Sequence, residues 1–190
     1  IKNDAFSLWD NLKGFEVPEN SELQSIEMHA FFGSSLESIS LPSSIVDINE
    51  NWSRNVKHLV NIIVLPNEEK NIVYCDDSFI LGKSNLSEPN YDVLIFARRD
   101  IEEVMIPSFI KIIAPYAFNE CHKLDVVNFE PNSELCSIEQ NAFSNSSISK
   151  ICIPSHVTYI GKHAFAECSK LKNFEITYDS ELKFIDEYAF

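Results

Sequence analysis

Ile148-Ser149-Lys150-Ile151-Cys152-Ile153-Pro154-Ser155-His156-Val157-Thr158-Tyr159-Ile160-Gly161-Lys162-His163-Ala164-Phe165-Ala166-Glu167-Cys168 holds an alternating apolar segment, a proline stop, a second apolar set and an Ala-Phe pair. The pair recurs at Ala5-Phe6, Ala30-Phe31, Ala117-Phe118, Ala142-Phe143 and Ala189-Phe190, so successive pairs are 25, 87, 25, 22 and 25 residues apart. Six of the nine alanines sit in it, where chance would place about one such pair. A period in the twenties is the length of one turn of a solenoid, so the whole chain is read in this register.

Downstream of the pairs an apolar triplet repeats with the spacing one, four, six, as in Leu36, Ile39, Leu41, in Leu124, Val127, Phe129 and in Ile148, Ile151, Ile153. Its last two members alternate with polar neighbours, the period of a strand with one buried face. Pro42, Pro107 and Pro154 then stop the strand. A second set, such as Val157, Ile160, Ala164 and Phe165, makes the returning half of each coil, predicted as short strand or single-turn helical pieces. Small Ala beside large Phe recurs because stacked coils share a core only if equivalent positions match in volume.

Two irregularities stand out. Trp52-Ser53 replaces Ala-Phe in one coil, with the indole expected to stand in for the missing ring. From Leu59 to Asp100 a unit of 42 residues replaces the usual 22 to 25. Its Phe79-Ile80-Leu81-Gly82 and Tyr91 to Ala97 segments predict a β-hairpin projecting from the coil, with a polar tip over 83–90. The coils fall near 12–35, 36–58, 59–100, 101–123, 124–147, 148–170 and 171–190, one domain spanning 1–190. Both ends are read as cut within a coil, so a longer array is expected.

A net charge of −14 argues against nucleic-acid backbones and acidic membrane faces as partners, and the longest apolar run, near Leu59 to Leu65, is too short to span a bilayer. Arg98-Arg99 reads either as an anion or partner contact or as a solvated pair balanced by Asp100, Glu102 and Glu103. The five cysteines form no metal-ligand spacing; Cys121 and Cys168 share a repeat position two coils, roughly 10 Å, apart and read as buried structural thiols. His29, His58, His122, His156 and His163 lie in no triad-like or metal-ligand spacing, and with four glycines the chain has no phosphate-cradling loop. No cofactor or catalytic residue is assigned. Three Asn-x-Ser sequons occur, at Asn51, Asn85 and Asn145, of which Asn85 is best placed, on the predicted tip.

If positions one, four and six of each strand point inward, positions three and five form two outward ladders. The first is Gly14, Ser38, Asn61, Glu103, Val126, Lys150, Asn173, and the second is Glu16, Ser40, Ile63, Met105, Asn128, Cys152, Glu175. The second places Ile63 and Met105 between polar flanks, the layout of a partner-binding patch with a polar rim. The alternative is a merely soluble face on a spacer or scaffold repeat that mediates self-association or intracellular protein contacts.

The stretch quoted first and its relative from Ile106-Pro107 to Cys121 resemble the BspA-like, Treponema pallidum-type leucine-rich repeat, whose pattern is strand, I-P-x-x-V-x-x-I-G-x-x-A-F-x-x-C, strand. The unit from Asp76 to Ile101 looks like the form found in the trichomonad BspA-like set. The resemblance implies a leucine-rich-repeat solenoid, a right-handed superhelix with a parallel sheet on its concave face and short strand or 3-10 segments on its convex side. It further implies cell-surface or secreted placement, adhesion to host matrix proteins such as fibronectin and fibrinogen or to neighbouring microbes, and no catalytic residues.

Overall fold

The computed structural model describes residues 1–66, 68–87 and 89–190; Glu88 of the predicted tip lies outside them. Every coil but the one over 59–100 lays down a ladder strand, turns, and lays down a two-residue return strand. The ladder strands are β1 (Gly14–Phe15), β3 (Ser38–Pro42), β5 (Asn61–Leu65), β9 (Glu103–Ile106), β11 (Val126–Phe129), β13 (Lys150–Ile153) and β15 (Asn173–Ile176). The return strands are β2 (Ser25–Ile26), β4 (Asp47–Ile48), β10 (Ile112–Ile113), β12 (Ser137–Ile138), β14 (Tyr159–Ile160) and β16 (Phe184–Ile185). Equivalent strands pair in parallel, as coils wound in one sense require. Of the two forms expected for the returning half, the structure has the strand; the rest of it is turns, with no 3-10 segment among the described residues.

The turn that carries each Ala-Phe pair has a common backbone. Asp4, His29, Tyr116, Asn141, His163 and Tyr188, the residues immediately before the six alanines, all lie in the left-handed region, at φ between 54° and 61°. Two residues beyond the phenylalanines, Leu8, Gly33, Glu120, Asn145 and Glu167 do the same. Left-handed backbone costs a side-chain-bearing residue roughly 1–2 kcal/mol, and interlocking hydrogen bonds offset that cost. Phe6, Phe118, Phe143 and Phe165 each donate their N–H to the alanine carbonyl of the next coil, at 2.6–2.8 Å. Their rings then stack: Phe118 on Phe143 at 4.7 Å and Phe143 on Phe165 at 5.2 Å, with planes within 7°. These three phenylalanines belong to one core. Gly161 is required by close approach, since a Cβ there would fall 2.7 Å from the Gln140 nitrogen.

The same hydrogen bonds fix the register where the sequence departs from it. Phe31 N–H donates to the Trp52 carbonyl and Ala97 N–H to the Ala117 carbonyl. Trp52 therefore occupies the alanine slot and Ser53 the phenylalanine slot. Phe96-Ala97 is inverted in the same way. The indole does join the ring stack, meeting Phe31 edge-on at 6.1 Å and Phe96 at 5.3 Å.

The hairpin corrects the expectation most. Its strands are β6 (Val73–Cys75), β7 (Phe79–Gly82) and β8 (Val93–Ala97), an antiparallel meander whose last strand pairs in parallel with β10. It does not project. Every residue of β7 is buried, because the meander is inserted into the stack as a partition. Phe79, Leu81, Leu94 and Ala97 pack into the core of the C-terminal coils, whereas Ile80 and Phe96 pack into that of the N-terminal coils with Phe31 and Trp52. The solenoid has two cores divided by one sheet, and the apolar character of both faces of β7 is the cause. Both parallel sheets break at the same place. The ladder sheet divides into β1-β3-β5 and β15-β13-β11-β9, and β2-β4 is separate from the remaining return strands.

Candidate protein-binding face

The first outward ladder has the predicted register within each half, and the second has it in three neighbouring pairs. Gly14, Ser38 and Asn61 stand side by side, as do Glu103, Val126, Lys150 and Asn173. Ser40 is level with Ile63, Met105 with Asn128, and Cys152 with Glu175. The rows are not continuous: between Asn61 and Glu103, and between Ile63 and Met105, the sheet is broken. Ile63 and Met105 are 58% and 53% exposed, so two large apolar side chains flank the break on an otherwise polar surface. Glu16, Asn61, Glu103, Asn128, Lys150, Cys152, Asn173 and Glu175 are also exposed, and Val126 is half-buried. Ser40 is the exception among the predicted residues. It is 5% exposed, and its hydroxyl accepts a hydrogen bond from the Val17 N–H at 2.9 Å, so it serves the sheet edge and not the surface.

A shallow depression of about 690 Å³ lies over the C-terminal half of this face. Val126, Asn128, Lys150 and Cys152 of the ladders line it, together with Glu134 and His156. Among the described residues no group of three or more His, Cys, Asp or Glu side chains could hold a metal ion. His122 Nε2 lies 3.0 Å from Glu120 within its own coil, whereas His156 Nδ1 reaches Glu181 of the next coil at 3.4 Å and His163 stacks on Tyr188 of the next at 5.2 Å. All five thiols are free. Cys121 is buried as expected, with burial pushing its thiol pKa up, while Cys168 is half-buried and donates to the Phe143 carbonyl at 3.1 Å. No helix is long and apolar enough to cross a membrane among the described residues.

The break is held together by two residues whose role the sequence did not disclose. Arg98 behaves as a balanced surface charge, bound to Asp100 at 2.6 Å and to Asp77 at 2.8 Å. Arg99 is not solvated, and none of its hydrogen bonds goes to a carboxylate. Its guanidinium is buried and donates to the carbonyls of Val56 at 3.1 Å, Ala97 at 3.2 Å and Ala117 at 2.9 Å, lying 4.0 Å from the Phe96 ring centroid. Burial pushes its pKa down from the ordinary arginine range, with the neighbouring Cys121 sulfur and the Glu120 carboxylate acting against that; a guanidinium remains charged nonetheless. Asn119 does related work. In other coils the left-handed residue after the pair donates to a carbonyl of the next turn, but Asn55 N–H donates to the Asn119 side-chain oxygen at 3.1 Å. The Asn119 amide nitrogen bonds in turn to the Ser144 carbonyl and hydroxyl, both at 3.0 Å. A phase alignment of Phe96-Ala97-Arg98-Arg99 with Ala117-Phe118-Asn119-Glu120 would have signalled that Arg99 falls at a turn.

Comparison with known proteins agrees with this geometry. The BspA type leucine-rich repeat region matches in six copies, over residues 1–91 and 90–190, and the chain belongs to that family. Repeats of this family are generally noncatalytic protein-interaction scaffolds. A leucine-rich repeat protein from Eubacterium ventriosum superposes with a TM-score of 0.79 at 21% identity, covering 98% of this chain and 47% of that one. The pneumococcal vaccine antigen PcpA gives 0.66 at 23% identity, covering 93% and 48%. A leucine-rich cell surface protein from Faecalibacterium prausnitzii gives 0.52 at 19% identity, covering 96% and 66%. The chain thus spans between about half and two thirds of these solved chains, and at such identities the likeness is one of fold. No curated protein matches the chain.

Proposed function

We propose that this chain is a noncatalytic protein-binding module of a cell-surface or secreted BspA-type protein, recognising host matrix or cell-surface proteins through the ladder face. Its seven coils act as one unit, with Glu16, Asn61, Ile63, Glu103, Met105, Val126, Asn128, Lys150, Cys152, Asn173 and Glu175 as the contact surface. The observation that carries this reading is the exposure of Ile63 and Met105 amid polar ladder residues. Neither side chain has core duty, and apolar anchors surrounded by a polar rim are what a protein interface uses. The break beside them adds open strand edges to the same surface. Surface placement is supported by the similarity to a protein described as a cell surface protein.

The test is solid-phase binding to immobilised matrix proteins with Ile63→Asp and Met105→Asp variants. Each is expected to weaken binding at least tenfold, a loss of about 1.4 kcal/mol or more, without moving the unfolding midpoint. Unchanged binding in both variants excludes the face and leaves a spacer or scaffold role.

A further inference from the structure

The three Asn-x-Ser triplets meet three different fates in the fold. In Asn51-Trp52-Ser53 the second and third residues are each 2% exposed, and the Asn51 side-chain oxygen is buried. In Asn145-Ser146-Ser147 the side-chain nitrogen is already engaged, donating to Glu120 Oε1 at 2.7 Å, and Ser146 is 4% exposed. A substituent on that nitrogen would intrude on a carboxylate whose side chain is almost wholly buried and which also faces His122 and Lys57.

Asn85-Leu86-Ser87 is the reverse case. All three residues are exposed, in the connection between β7 and β8. The Asn85 side-chain oxygen accepts two hydrogen bonds, from the Ser87 hydroxyl at 2.7 Å and from the Ser87 N–H at 3.0 Å. Its nitrogen has no partner among the described residues. Donation of a hydroxyl proton to the amide oxygen stabilises the imidate-like form that the group approaches as its nitrogen loses a proton, so this arrangement favours the nitrogen as a nucleophile. The base of the connection is anchored: Ser84 donates its N–H and its hydroxyl to the Asp92 carboxylate at 2.8 and 2.7 Å. Asn85 is presented on a fixed platform, belongs to neither ladder, and is clear of both cores.

We propose that Asn85 is the N-glycan attachment site of this chain, the one sequon of the three whose modification the folded coils accommodate. The donor is an oligosaccharide joined through pyrophosphate to a polyprenyl carrier. The bond from Asn85 Nδ2 to the anomeric carbon forms as the bond from that carbon to the pyrophosphate oxygen breaks. The carrier diphosphate leaves with the bonding electron pair, and the nitrogen gives one proton to a base of the transferase. Occurrence in the native cell rests on the surface placement proposed above, whereas the acceptor geometry does not.

The experiment expresses the full chain behind a secretion signal in a eukaryotic cell and maps glycopeptides of the secreted, folded protein by mass spectrometry. Glycan is expected on the peptide bearing Asn85. Asn85→Gln and Ser87→Ala should remove both it and the glycosidase-sensitive gel shift, while Asn51→Gln and Asn145→Gln leave both in place. Circular dichroism of Asn85→Gln, matching the unsubstituted protein, verifies that the loss is not one of folding. An unmodified Asn85 in folded secreted material overturns the proposal, and so does occupancy of Asn51 or Asn145 there. Surface placement fails on a separate result, an intracellular location in the native cell.

Discussion

Arg99 shows what a single side chain does at a fault in a repeat. Where successive coils no longer pair, backbone carbonyls of Val56, Ala97 and Ala117 converge on one buried spot, and a planar guanidinium supplies donors to all three. The Ala117 carbonyl also accepts the Ala97 N–H, but a buried acceptor that loses its donor costs more than the bond itself gains. Arg99→Met, which keeps the apolar contact with Phe96, is expected to lower stability by roughly 3 kcal/mol, read from the urea midpoint. Arg99→Lys should recover only part, because one ammonium cannot reach carbonyls spread around a plane. A variant as stable as the parent would show that the carbonyls find water instead. Asp92 is a second local device. Burial alone would raise its pKa, but the bonds from Ser84 overcome that and hold the carboxyl below the usual range. Because the folded value is the lower one, the stabilisation is present above the unfolded pKa near 3.9 and disappears as pH falls through the folded value. Nuclear magnetic resonance titration between about pH 5 and 2 should therefore show the Ser84 amide signal moving with Asp92, and Asp92→Asn should abolish the movement.

Among the strands and turns, the inverted pairs Trp52-Ser53 and Phe96-Ala97 are the informative elements. Both place the large ring in the slot where other coils have alanine; Phe96-Ala97 belongs to the partition itself, as the end of β8, and Trp52 packs against it. Phe79 supplies the ring on the other side, meeting Phe118 at 6.2 Å. The inversion thus steers two rings into the N-terminal core while the inserted strand completes the C-terminal one. Restoring the repeat pattern with Trp52→Ala and Ser53→Phe together should destabilise the protein by about 2–4 kcal/mol, since the contact between Trp52 and Phe96 is lost and the new ring has no vacant slot. Thermal unfolding of the double variant decides it; unchanged or increased stability would mean that the pair is interchangeable.

The molecule as a whole is two stacks sharing a wall. Phe143 lies in one core and Phe31 in the other, so Phe143→Ala and Phe31→Ala, each expected to cost about 3–5 kcal/mol, should loosen different halves. Hydrogen exchange read by mass spectrometry should show the first acting mainly on residues after 100 and the second mainly on those before 66. Uniform loosening by either would show that the wall transmits unfolding. The wall also shapes the candidate binding surface, because its insertion opens the ladder sheet between Ile63 and Met105.

Local pattern alone specified the coil. The Ala-Phe spacing, the one-four-six triplets and the proline stops each repeat within about 25 residues, a distance over which strand period and volume matching are read directly from neighbours in the chain. It follows that the ladder positions from Glu103 to Asn173 were legible to the residue. What depended on the folded whole was everything set by contacts between distant coils. An apolar strand buried on both faces reads in sequence like any hairpin strand, so the place of β7 inside the stack was not visible there. Neither was the burial of Arg99, whose partners lie 43 and 18 residues away. Nor was the loss of Ser40 from the surface, which the Val17 amide 23 residues earlier brings about. Periodicity constrains residues one turn apart, but a buried charge or a dividing strand is stabilised by groups that only packing brings together.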